Sequence, residues 1–285
     1  MCELSMTYWR RLLSALLLSF PLLTAQTMAV ADTPSATAGN MSVGIGLGRY
    51  SSPLFGGNDL PIYLLPRWSY YHDRFYIEDL DLGFNLLETS SFSWDITTKQ
   101  SFDGLLFRQD EMQDSLLAGI SASNLLIVLP TNTSLSSMLH PSDRHLSYLG
   151  GSSIFWRFGE WQFKSALHGD ISNVHHGSEW NNELRYLAQV SKLEIATTLG
   201  ARWLDSDYSN YYFGLGKADT RKIALNSPGA QWLPSLKLEL SWSIAVDLRV
   251  IGSWRREWLA DEFKKSYLFD TNTQDIWFIG VMKTW

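Results

Sequence analysis

"WLPSLKLELSW", residues 232–242, puts an apolar or prolyl side chain at every even position: Trp232, Pro234, Leu236, Leu238, Leu240 and Trp242. Ser235, Lys237, Glu239 and Ser241 take the odd positions after Leu233. A period of two sends these sets to opposite faces of a β-strand. Strands of soluble sandwiches are usually about five or six residues long. Ten residues at ~3.3 Å, tilted by ~40°, rise about 25 Å, the height of the lipid-facing band of a transmembrane barrel. The Leu row is therefore read as meeting lipid. Trp232 and Trp242 then sit in the two interfacial girdles, and the polar row faces a lumen.

The pattern recurs over 161–172, 179–190, 193–205 and 244–257. Trp180, Trp203 and Trp254 fall on the apolar rows and join Trp232, Trp242 and Trp285 as expected membrane-interface anchors. Further strands are predicted at 41–50, 60–71, 74–88, 91–102, 145–158 and 275–285. A closed single-chain barrel needs an even number. Residues 115–129, "SLLAGISASNLLIVL", supply the missing strand and bring the total to twelve, or ten if a terminal pair stays outside the membrane. The fold class is all-β, a transmembrane antiparallel barrel of about 12 strands. With both termini in the periplasm, this count puts 206–230 outside the cell and 103–114 on the periplasmic side.

The N-terminus has its own signature. Arg10 and Arg11 precede the apolar run 12–23, and Ala29-Val30-Ala31 follows as a small-x-small cleavage site. This reads as a secretory signal peptide over 1–31, leaving 32–285 as one barrel domain. No run approaches the ~20 apolar residues of a membrane-spanning helix. The only cysteine, Cys2, lies in the signal, so the mature chain is exported without a disulfide. Removing 1–31 takes away Arg10, Arg11 and Glu3 and moves the formal charge from -6 to -7. No basic patch stands out, which argues against nucleic acid as a partner.

Catalytic and metal-binding constellations are weak. Ser165 and His168 are three apart and point to opposite faces of a strand; His145 and Ser147 share a face but lack a placed orienting acid. His175-His176 with Asp170 or Glu179 offers no convincing third metal ligand and reads as a solvated polar loop. Gly44-x-Gly46-x-Gly48 precedes no helix pattern and reads as strand glycines that relieve curvature or admit a close neighbour. No catalytic residue, cofactor or metal is assigned, and the protein is not read as an enzyme. Inward Lys237, Glu239, Glu183, Arg185, Glu194, Arg202, Asp247, Arg249 and Arg255 mix both signs, which favours a paired network over an open pore.

"DRFYIEDLDLGFNLLE" (73–88), "LDSDYSNYYFGL" (204–215), the early "VGIGLGRYSSPLFGG" (43–57) and the terminal "GVMKTW" together resemble the MipA/OmpV family. The chain ends on Trp285 where such barrels normally end on Phe, and Lys283 stands where an apolar residue is expected. Residues 130–144 depart from the family spacing. The resemblance implies an outer-membrane barrel of a Gram-negative bacterium, bathed in outer-membrane lipid. It also implies a scaffold between a murein-degrading lytic transglycosylase and a murein synthase. A partner patch for that role is expected at Leu105, Leu106 and Phe107, ringed by Asp103, Arg108, Asp110, Glu111 and Asp114. A small channel and a lipid-modifying barrel enzyme are the alternatives.

Overall fold

The computed structural model describes residues 37–55, 57, 59–107, 144–217, 219 and 225–285. The signal segment 1–31 and the strand expected at 115–129 lie outside these. The described chain forms a closed antiparallel barrel of twelve strands, each paired with its sequence neighbours, with the first strand closing on the last. The strands are β1 (Thr37–Tyr50), β2 (Leu60–His72), β3 (Phe75–Glu78), β4 (Asp81–Glu88), β5 (Phe92–Ser101) and β6 (Ser147–Phe158). β7 (Trp161–Asp170), β8 (Ser178–Val190), β9 (Leu193–Leu204), β10 (Gln231–Ser243), β11 (Leu248–Trp258) and β12 (Thr273–Thr284) complete the wall.

The stretch 232–242 is the body of β10. Trp232, Leu238, Leu240 and Trp242 are exposed on the outer face, while Leu233 is fully buried beneath the loops. The same outward row continues through Ile154 and Trp156 on β6, Leu167 on β7, and Trp277, Ile279 and Val281 on β12. In water such a belt of exposed apolar side chains would be an aggregation surface; in a bilayer it is the lipid contact.

Twelve is reached by a different route from the sequence count. The segment read as one strand over 74–88 is a hairpin, β3 and β4, broken at Asp79-Leu80. Asp79 has a left-handed backbone (φ 55). Its Oδ1 accepts the Trp68 N–H at 3.1 Å, and its own N–H donates to the Trp68 carbonyl at 2.8 Å. An Asp tolerates that conformation and folds the chain back early. The extra hairpin reverses the direction in which β4 and β5 cross relative to that count. Asp103–Phe107, a 3-10 turn, therefore lies at the end of the barrel opposite the chain termini, not beside them as the strand count required.

The short hairpin also explains a proline. β2 pairs with β3 only over Ser69–His72, and β4 pairs with β5 only as far as Thr97. Among the described residues, the facing edges of β2 before Ser69 and of β5 beyond Thr97 have no strand partner. Trp68 turns both its N–H and its carbonyl toward Asp79, so the edge of Pro66, two residues earlier, faces the same unpaired side. A residue without an N–H costs nothing there.

The turn predicted at residue 243 is four residues long, 244–247, with β11 starting at Leu248. Short turns join β2–β3, β4–β5, β6–β7, β8–β9 and β10–β11 at the termini end. The described parts of the long connections 51–59, 102–146, 205–230 and 259–272 lie at the other end, called here the mouth.

Candidate functional site

The mouth is where buried chemistry collects. Within 205–230 the sequence "SDYSNYYF" forms the helix α1 (Ser206–Phe213). Asp205 caps it: Oδ1 accepts the Tyr208 N–H at 2.9 Å, while Oδ2 accepts the Ser178 N–H at 2.7 Å and ties the helix to β8. Gly177 lets the helix approach, since a Cβ there would collide with the Tyr208 nitrogen. Tyr208 and Tyr212, one turn apart, both point down into the barrel and are completely buried. Phe213 points the other way, stacking on Phe263 of α2 (Asp261–Lys264) with ring centres 4.2 Å apart. Leu54, Leu215, Leu259, Leu268 and Phe269 complete an apolar cluster formed mainly by the loops. The mouth is plugged by a small core of its own.

Beneath the plug lies a charged layer centred on Arg202 of β9. Its Nη1 is 2.7 Å from Asp103 Oδ2 and 3.5 Å from Glu179 Oε2; its Nη2 is 2.7 Å from Glu257 Oε1. Lys99 closes on Glu179 from β5. The Tyr208 hydroxyl donates to Asp103 Oδ2 at 2.8 Å and accepts from Ser101 Oγ at 2.5 Å. Burial, then the Asp103 charge, push the Tyr208 phenol well above its usual range. One cation faces three carboxylates, and Lys99 balances part of the remainder. Deeper in the lumen Glu239 pairs with Lys237 at 2.8 Å and with Arg185 at 3.5 Å, and Arg255 with Glu257 at 2.8 Å. Several of the inward charges are thus matched, some within one strand and some across the lumen.

A Ser–His pair that sequence spacing did not show stands beside the plug. Asp170 organises the loop 171–177, its Oδ2 accepting the N–H groups of Val174, His175 and His176 at 2.7–2.9 Å. This swings His175 inward, where Nε2 lies 3.0 Å from Ser147 Oγ. The pair does not resemble an activated nucleophile. His175 Nδ1 accepts the Gly177 N–H at 2.9 Å, so Nε2 carries the proton and donates to the serine. A base that must accept from its nucleophile is in the wrong tautomer here. Burial lowers the His175 pKa, and the ring is held among Tyr208, Tyr211 and Tyr212. Of the pairs considered from sequence, Ser165 and His168 are engaged elsewhere: Ser165 Oγ donates to Asn182 Oδ1 at 2.8 Å, and His168 Nε2 lies 2.9 Å from Thr97 Oγ1.

The expected interface anchors are distributed as follows. Trp180, Trp203 and Trp232 stand in register on three adjacent strands toward the mouth, with Trp180 and Trp232 ring centres 5.7 Å apart. Trp242 and Trp285 are exposed at the termini end. Trp254 lies opposite Leu238 and Trp277, partway along the wall. In the expected partner patch, Phe107 packs on the plug core with the Arg144 guanidinium 5.3 Å above its ring.

A plugged twelve-strand barrel with an apolar outer belt calls for comparison with known proteins. The profile of the family described as "MltA-interacting protein MipA" matches residues 43–285. The chain belongs to the MipA family. An Escherichia coli K12 relative, named as the outer membrane protein YiaT, is 25% identical over 251 residues, covering 87% of this chain and 92% of that one. The MltA-interacting protein of the same organism is 24% identical over 236 residues, covering 81% and 85%. Among solved structures, the P. putida toluene transporter TodX overlays with a TM-score of 0.35 at 8% identity, covering 88% of this chain and 89% of that one. The protein is a MipA-family β-barrel of the outer membrane.

Proposed function

We propose that the protein is a structural and scaffolding barrel that holds murein enzymes at the inner surface of the outer membrane. A relative's name, MltA-interacting protein, suggests a lytic transglycosylase as partner, and a murein synthase would complete the complex. The observation that carries this reading is the plug. A mouth filled by α1 and a lumen filled by paired charges leave the outside surfaces as the working parts. The Ser147–His175 tautomer supports a role without hydrolysis. The signal peptide over 1–31 would export the chain.

A murein partner needs the periplasmic end, where short turns and termini lie in barrels of this class. Leu105, Leu106 and Phe107 are at the mouth, so the docking surface is moved to the termini end. There the turn 244–247 presents Ile244 and a fully exposed Val246 beside Val190. A photo-crosslinker at Val246 is expected to capture a lytic transglycosylase in cells, while one at Lys217, exposed at the mouth, captures none. Capture only from Lys217, or from neither position, would contradict the scaffold.

A further inference from the structure

The outer wall at the termini end carries a groove of about 630 Å³, lined by Met41, Pro66, Trp68, Tyr70, Ile77 and Trp285. That volume falls in the range of ligand pockets, roughly 300–1,000 Å³. Its origin is local. Gly39 stands opposite Tyr70, and Met41 opposite Trp68, so the row that should be filled by a β1 side chain is empty at Gly39. Trp285, whose N–H donates to the Met41 carbonyl at 2.8 Å, walls the groove on the β12 side.

Two opposite charges stand at this wall. Lys283 lies on the same outward row as Val43 and Pro66. Its Nζ is 5.6 Å from the Trp285 ring centre and 3.7 Å from Asp247 Oδ2. The two side chains are 49% and 54% exposed. Charged groups on the lipid face are costly except near the interface, where the headgroups lie. A cation and an anion a few ångströms apart, next to an apolar groove walled by Trp, complement a zwitterionic headgroup above an acyl chain.

We propose that this groove binds one phosphatidylethanolamine of the periplasmic leaflet. Its phosphate meets Lys283, its ammonium meets Asp247, and one acyl chain runs along Met41, Trp68 and Ile77. The folded full-length mature barrel, purified in mild detergent and offered equimolar phosphatidylethanolamine and phosphatidylglycerol, is expected to retain the former in native mass spectrometry. Lys283→Gln should lower that retention about fivefold, and Asp247→Asn should shift the preference toward phosphatidylglycerol. Gly39→Leu fills the groove, and its Cβ meets nothing closer than 3.8 Å, so the barrel should keep its heat-shifted gel mobility while losing both lipids. Equal or reversed retention by the wild type would overturn the site. So would undiminished phosphatidylethanolamine in folded Gly39→Leu or Lys283→Gln protein.

Discussion

At the scale of single residues, Arg202 and His175 hold the mouth together by different physics. Arg202 is the cation shared by Asp103, Glu179 and Glu257. Its removal leaves carboxylates in a site from which water is largely excluded. Arg202→Met is expected to destabilise the barrel by about 3–5 kcal/mol, read as a lower temperature for the shift between folded and unfolded gel mobility; an unchanged temperature would mean that the carboxylates find other partners. His175 makes the plug sensitive to acid. Its folded pKa lies below the ordinary 6.5 because burial disfavours the imidazolium. Between those two values the unfolded chain binds the proton and the folded chain does not, so stability falls as pH drops below about 6.5. Protonation also removes the Nδ1 acceptor of the Gly177 N–H. The protection of α1 amides, taken relative to the intrinsic exchange rate at each pH, is expected to fall from pH 7 to pH 5 in wild type and to lose that dependence in His175→Gln.

At the scale of elements, close approach of backbones fixes how the wall closes. β1 meets β12 through Gly46, where a Cβ would collide with the Ile279 carbonyl oxygen, and β1 bulges between Ile45 and Gly48 against β2. Gly46→Val is expected to cost at least about 3 kcal/mol and to slow closure, seen as an unfolded band persisting after refolding into detergent; normal refolding would show that β1 can shift. These strands were legible in the sequence because alternation sustained over the thickness of a bilayer, with Trp at its ends, suits a membrane-crossing strand and little else. Three features were not. The break at Asp79 shows in "IEDLDL" only as two adjacent polar residues, Glu78 and Asp79, between short alternating runs, and the left-handed Asp79 makes it a turn. α1 is short and Tyr-rich, with a weak pattern; Asp205 ahead of Tyr208 and Tyr212, one helical turn apart, was the available signal. The Ser147–His175 contact joins residues 28 apart in sequence, across the β6–β7 hairpin and its following loop, which no local spacing encodes.

At the scale of the whole molecule, the scaffold role proposed above treats the barrel as a sealed post. Its outer belt is apolar, and among the described residues its mouth holds a buried cluster that includes Tyr208, Tyr212, Phe213 and Phe263. Charges inside pair with one another at Lys237–Glu239 and Arg202–Glu257, which lowers the net charge an entering ion would meet. The mixed signs were legible from alternation alone; the Lys237–Glu239 pair lies within one strand, but Arg185–Glu239 and Arg202–Glu257 were not legible, because they depend on how the strands are staggered. The direct test is single-molecule conductance of the folded, mature protein in planar lipid bilayers. No steady conductance is expected from the wild type, and stepwise openings are expected only after α1 is loosened by Tyr208→Ala with Phe213→Ala. Steady, stepwise current through the unmodified wild type would contradict a sealed barrel.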